Sequence, residues 1–102
     1  MNNKGEIGMG IAKAYIAGKI TGNDNFEVEF MNAQIELKSR GLAVLNPALM
    51  PKGFEQSEYL HVCTAMIDVC DAVYFLPSWI DSKGSHYEMG YAKGKGKVIE
   101  YL

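Results

Sequence analysis

A chain of 102 residues has room for one compact domain, and its 48% hydrophobic and 22% charged residues are ordinary globular composition. Ten basic against twelve acidic residues leave a net charge of -2, which argues against a nucleic-acid polymer or an anionic membrane as the main partner. A small anionic ligand stays open, because local backbone donors bind one without global charge. No stretch approaches the roughly 20 apolar residues of a membrane span. The glycine-rich, polar start MNNKGEIGMGIAK lacks the apolar core of a secretory signal. Residues 1–12 read as a loose tail ahead of a single domain over 13–102, and the compartment expected is a reducing cytoplasm.

Lys13 to Ala17 is a short apolar run before a glycine, which predicts a strand ending in a turn. Gly18 to Asn25 reads as a loop. Asp24 with Glu27 makes a D-x-x-E helix start, with Asn25 as the alternative cap. Phe26, Phe30, Ala33 and Leu37 follow at helical spacing. Lys38 and Arg40 suit the negative end of that helix, and Gly41 suits its stop. Leu42 to Leu45 predicts a second strand, closed by Asn46-Pro47, and Ala48 to Gln56 a loop carrying Pro51 and Gly53. A second helix is expected from about Ser57 to Cys70, with Tyr59, Cys63, Met66 and Cys70 as its buried stripe. AVYFL (Ala72 to Leu76) is continuously apolar, as a central parallel strand should be. After a loop from Pro77 to Gly84, a third helix is expected from Ser85 to about Lys93, ended by Gly94 and Gly96, and then a last strand from Val98 to Leu102.

Strand and helix alternate throughout. This predicts an α/β fold: a three-layer, doubly wound parallel sheet of four to five strands, with helices on both faces in the flavodoxin or Rossmann manner. Ligands in such folds bind beyond the carboxyl ends of the strands. The loops beginning at Gly18, Asn46 and Pro77 therefore converge on one rim.

The residues able to carry chemistry fall on that rim or near it. GKITG (Gly18 to Gly22) is neither a Walker A motif nor G-x-G-x-x-G. It is either an ordinary tight turn or a turn that brings backbone close to a phosphate or sugar. Ser82, Gly84, Ser85 and Glu88 form S-x-G-S-x-x-E, where free amides and two hydroxyls at a helix start make an anion site. The same letters allow a capping box in which Glu88 bonds the Ser85 amide. Tyr15 serves either sheet packing or the site. Asp71 is either a turn residue or a functional carboxylate, and Asp68 lies in the last turn of the second helix. His61 and His86 lack a Ser or Cys relay, so a triad is not supported. Cys63 and Cys70, seven apart, share a helix face and read as buried thiols; with His61 they make no convincing metal ligand set.

YIAGKITG near the start, CDAVYFLPSW in the middle and DSKGSHYEMGYA near the end, in that order, together resemble the nucleoside 2-deoxyribosyltransferase-like superfamily. It includes nucleoside deoxyribosyltransferases and 2'-deoxynucleoside 5'-monophosphate N-glycosidases. The resemblance covers about residues 13–102 and is closest to short members of bacterial and phage type. It places the family's nucleophilic glutamate on Glu88, the tyrosine that orients it on Tyr15, and an aspartate acting on the leaving base on Asp71. Ser82 stands six before the glutamate, where monophosphate glycosidases tend to carry a phosphate-contacting serine and transferases of free nucleosides an aspartate. The resemblance thus implies cleavage or transfer at the N-glycosidic bond of a 2'-deoxynucleoside 5'-monophosphate, or of a deoxynucleoside, through a glycosyl-enzyme. Gly18, Ser82, Gly84 and Ser85 would hold the substrate, with no metal or organic cofactor. The alternative is a nucleotide-binding module of the same fold without turnover.

Family members are commonly oligomeric, so a homo-oligomer of two or more copies is implied. The sequence ends on its last strand at Leu102, short of the C-terminal segment that completes the pocket in many members. That departure implies completion by a neighbouring subunit, or lost turnover. Trp79 and Tyr59 are expected near the rim, to stack a base or seal an interface.

Overall fold

The structure, a computed structural model, describes residues 11–102. The expected loose tail lies outside the described residues, apart from Ile11 and Ala12, which precede the first strand. Four strands form one sheet: β1 (Lys13–Ala17), β2 (Ala43–Leu45), β3 (Ala72–Phe75) and β4 (Val98–Tyr101). Three helices alternate with them: α1 (Phe26–Ser39), α2 (Gln56–Val69) and α3 (Lys83–Gly94). Strand order is β2-β1-β3-β4, and every neighbouring pair is parallel. The predicted doubly wound, three-layer α/β architecture is therefore present, with four strands.

Parallel strands need helical crossovers, and here these cover both faces. On one face Ala14 and Ile16 of β1 pack with Phe30, Ala33 and Leu37 of α1. This is the stripe that helical spacing predicts. On the other face Tyr15, Ala17, Val73 and Phe75 pack with Cys63 and Ile67 of α2 and with Met89 and Ala92 of α3. Alternation along β1 thus sends successive side chains into separate cores. The buried line of α2 runs through Cys63, Ile67 and the C-cap Cys70, while Tyr59 and Met66 are half-buried. Ile67, absent from the expected stripe, lies one turn beyond Cys63.

Glycines end two of the helices. Gly41 (φ +86°) and Gly96 (φ +71°) take left-handed backbone that side chains rarely adopt. The next amides, Leu42 and Lys97, then bond back to the carbonyls of buried Leu37 and Ala92. Each helix is thereby turned straight into the strand that follows.

Three helix starts differ from expectation. The Asp24–Glu27 start does not form, and Asn25 occupies the cap position without a side-chain bond. Asn23 organises this loop instead: its amide group donates to the Lys19 carbonyl and to Glu29, and its oxygen accepts from the Asn25 amide. Glu55 and Glu58 form a reciprocal capping box at α2, which starts a residue earlier than expected. α3 begins at Lys83, and its cap is Ser82, whose Oγ accepts from the Ser85 amide at 3.1 Å. A 3₁₀ turn over Pro77–Asp81 replaces part of the expected loop.

The position of Gly18 is set by space. A Cβ there would stand 3.0 Å and 3.1 Å from Leu76 side-chain atoms and 3.2 Å from Phe30. At Gly84 the nearest atom, Ser82 Oγ, would be 3.9 Å away. Gly18→Ala should therefore cost about 1–2 kcal/mol by overpacking, read as a melting temperature lower by roughly 4–15 °C. Gly84→Ala should melt within a few degrees of the parent. Equal melting temperatures for the two variants would refute this account.

Candidate functional site

The strand order reverses direction between β1 and β3, and there the carboxyl ends of the strands open a crevice. The loops on either side are tied: the Lys19 amide donates to Ser78 Oγ at 3.0 Å, and the Leu76 amide to the Ala17 carbonyl at 2.8 Å. A cavity of about 720 Å³ lies at this rim. Its wall is drawn from the loop after β1, the segment after β2 (Pro47, Ala48, Met50, Lys52), the first half of α2, and the start of α3. The convergence of three loops on one rim is thus observed.

Glu88 and Tyr15 meet at this cavity. Glu88 is 7% exposed and Tyr15 fully buried. Tyr15 Oη donates to Glu88 Oε2 at 2.7 Å, and both residues line the cavity. Glu88 is not the partner of the Ser85 amide. The helix starts three residues earlier than a Ser85 cap would require, so Ser82 takes the cap and leaves the glutamate free to cross to β1. Burial pushes the Glu88 carboxyl up from 4.5 to about 7, against the opposing effect of the Tyr15 hydrogen bond and of the neighbouring Cys63 thiol. The Tyr15 phenol is held well above its ordinary range, first by burial and then by the Glu88 charge.

Gly18, Ser82, Gly84 and Ser85 all line the same cavity. Ser85 is buried, and its Oγ has no hydrogen-bond partner. The Ser85 amide is committed to the Ser82 cap, so the hydroxyl is what this residue has free. Ahead of it, the Lys83 and Gly84 amides stand in the first helical turn, where no intrahelical acceptor exists. Lys83 and Lys52 bring positive charge to the wall, and Asp81 and Glu27 bring negative charge.

Asp71 is a correction. It sits just before β3, where its amide donates to the Lys13 carbonyl and its Oδ2 accepts from the Lys13 amide at 2.8 Å. These are the amino ends of the strands. Val73 is the residue level with Tyr15, so Asp71 lies about 6–7 Å further from the rim along the strand. It does not line the cavity. Its work is to clip β1 to β3. Tyr59 lines the cavity as expected, with its hydroxyl donating to the Pro51 carbonyl. Trp79 does not; it packs edge-on to Phe75 and beside His86 and Tyr101. His86 Nε2 donates to the Ile80 carbonyl at 2.7 Å. Asp68 accepts from the Tyr91 hydroxyl on the surface.

The sequence reading missed Cys63 as a site residue. It lines the cavity and lies against Tyr15 and Glu88, and burial pushes its thiol up to about 11. It missed Lys52 and Gln56 as well, although the rule of strand carboxyl ends already pointed to the segment after Asn46.

Glu88 carries a signed prediction. Its folded pKa exceeds its ordinary value, so the folded state holds the proton more tightly than the unfolded state. The carboxyl adds no penalty below pH 4.5, then lowers stability as pH rises from 4.5 to about 7, and the penalty is constant above that. Its limit is about 3 kcal/mol. Glu88→Gln should thus match the parent in urea unfolding near pH 4 and exceed it by about 2–3 kcal/mol at pH 8. A difference independent of pH would contradict the burial argument.

Comparison with known proteins adds to this geometry. Residues 12–101 match the family described as "Domain of unknown function (DUF4406)". No curated protein matches the chain in sequence. Among solved structures, "2-desoxiribosyltransferase from Leishmania mexicana" is similar, with a TM-score of 0.71 and 26% identity over 89% of this chain. The chain spans 63% of the length of that structure. With nearly its whole length matched, the chain belongs to the family described as Domain of unknown function (DUF4406), within the nucleoside 2-deoxyribosyltransferase-like superfamily that its motifs resemble.

Proposed function

We propose that the protein cleaves or transfers at the N-glycosidic bond of a 2'-deoxynucleoside 5'-monophosphate or deoxynucleoside, with Glu88 as nucleophile. The observation that carries this reading is the buried 2.7 Å bond from Tyr15 to Glu88 at the wall of the cavity. A carboxylate removed from water and aimed by one fixed donor is arranged to attack. The similar structure titled a 2-desoxiribosyltransferase supports the same bond as the target.

In this mechanism the deprotonated Glu88 attacks C1' of the sugar. The C1'–N bond breaks, its electron pair leaves with the base, and the base takes a proton. Glu27 and Asp81 are the other carboxyl groups on the wall, and either is better placed than Asp71 to supply that proton. Water or a second base then attacks C1' and frees Glu88. Tyr15 holds the carboxylate in line. The 5'-phosphate sits at the start of α3, on the Lys83 and Gly84 amides and the Ser82 and Ser85 hydroxyls, beside the Lys83 ammonium. The Ser82 oxygen accepts from the Ser85 amide and still has its own proton to give. Gly18 lets the opposite loop approach closely. No metal or organic cofactor enters these steps.

One observation favours a second reading, a nucleotide-binding module without turnover: Asp71, the expected acid, stands outside the cavity. Either reading suits a reducing cytoplasm, since Cys63 and Cys70 are free and buried. Among the described residues no helix is long and apolar enough to cross a membrane. A homo-oligomer belongs to the proposal as well. Leu49 and Phe54 stand exposed on the segment that supplies cavity wall, and large exposed apolar groups of this kind mark interfaces. A monomer in sedimentation equilibrium at micromolar concentration would remove that part.

The decisive experiment incubates the protein with each 2'-deoxynucleoside and its 5'-monophosphate, with and without a second base, and separates the products by chromatography. Free base from the monophosphates, or a swapped base, is expected, with all product lost in Glu88→Ala. Tyr15→Phe should slow turnover on the order of 10–100-fold, the loss of one hydrogen bond to a charged group. Because Glu88 must be deprotonated, the rate should rise with pH through about 7. Ligand-induced thermal stabilisation without any product would select the binding module.

A further inference from the structure

Glu88 has a second neighbour that the proposed reaction leaves unused. Cys63, on α2, is buried in the same core cluster as Tyr15 and Met89. It also lines the cavity beside Glu88, as does Ser85 with its unpartnered buried hydroxyl. Cys63 is thus part of the wall as well as of the core. Its counterpart Cys70 is buried too, but its charged neighbours are Asp71, Lys97 and Lys13, at the amino ends of the strands.

We propose that Cys63 is a positioning residue for Glu88, its thiol donating to the carboxylate that also accepts from Tyr15. The nucleophile is then held by two donors from two different layers, the sheet and α2. This rests on the reading of Glu88 as the reacting group. The groups facing the carboxylate agree with it. β1 offers Tyr15, α2 offers Cys63, and β3 packs there with Val73 and Phe75, which carry no charge. Glu27, Lys52, Tyr59, Asp81 and Lys83 line the surrounding cavity. The ion pairs among the described residues, Arg40–Glu36 and Lys95–Asp68, lie elsewhere. The buried charge of Glu88 therefore relies on neutral donors. Burial keeps both of them protonated where Glu88 ionises, since the Cys63 thiol is raised to about 11 and the Tyr15 phenol well above its usual value. The thiol is accordingly a donor to Glu88 and not a competing nucleophile.

The test follows the Glu88 carboxyl by ¹³C NMR titration in the parent, in Cys63→Val and in Cys63→Ser. Valine keeps the volume without a donor, and serine keeps a donor. The Glu88 midpoint should rise by about one pH unit in Cys63→Val, as loss of one donor to a charged group requires. It should return most of the way in Cys63→Ser. If Cys63→Val does not fold, Cys63→Ala takes its place. The pH dependence of base release should shift in the same direction as the midpoint. A Glu88 midpoint unchanged in the variant without a donor overturns the proposal and reduces Cys63 to core filling. The titration needs no turnover, so its outcome is separate from that of the assay. A shifted midpoint with no base release upholds the positioning role while the glycosidase reading fails. Base release with an unmoved midpoint does the reverse.

Discussion

The hydrogen bond from Tyr15 to Glu88 is the interaction on which the rest of the site depends. The two residues are 73 positions apart in the chain. They meet only because β1 lies inside the sheet and α3 packs against the face to which Tyr15 points. A buried carboxyl without a donor would be costly. Here a phenol that is itself part of the core meets that need. The sheet interior, the crossover order and the helix cap all have to be right before this one bond can form.

Ser82 joins the cap to the chemistry. By accepting from the Ser85 amide it starts α3 early, which rotates Glu88 away from any capping role and towards β1. It also leaves the Ser85 hydroxyl buried and unpartnered at the wall. Fold and site are therefore not separable at this turn. The charge pattern is mixed: a chain with net charge -2 presents a helix start and two lysines to its cavity, together with Glu27 and Asp81. Any attraction for a small anion would rest on these local donors and not on a basic surface.

Much of this was legible in the sequence. AVYFL reads as a buried strand because both faces of β3 are covered, and Phe30, Ala33 and Leu37 show the core stripe of α1 because one helix face packs on one sheet face. Tyr15, Gly18, Ser82, Gly84, Ser85 and Glu88 stand out in the sequence, and they line one cavity. The errors have physical causes. Ser82 and Ser85 are both good caps, and only packing decides between them. The resemblance put an acid on Asp71, yet a residue preceding a parallel strand lies at the end away from the rim. Cys63 looked like filler because helical spacing identifies a buried face without showing what that face meets across the layer. The bonds of Asn23 and Asn46 were not legible because they reach to Glu29 and Gln34, partners that no short motif announces.

The sheet is bounded by β2 and β4, of three and four residues. An open parallel sheet always ends in two rows of unpaired peptide groups, and these rows invite another chain to add a strand. Rows this short offer few donors and acceptors to such a visitor. Growth of the sheet from molecule to molecule is thereby discouraged at both margins. Association of copies through surfaces away from these margins can instead close on itself and stop.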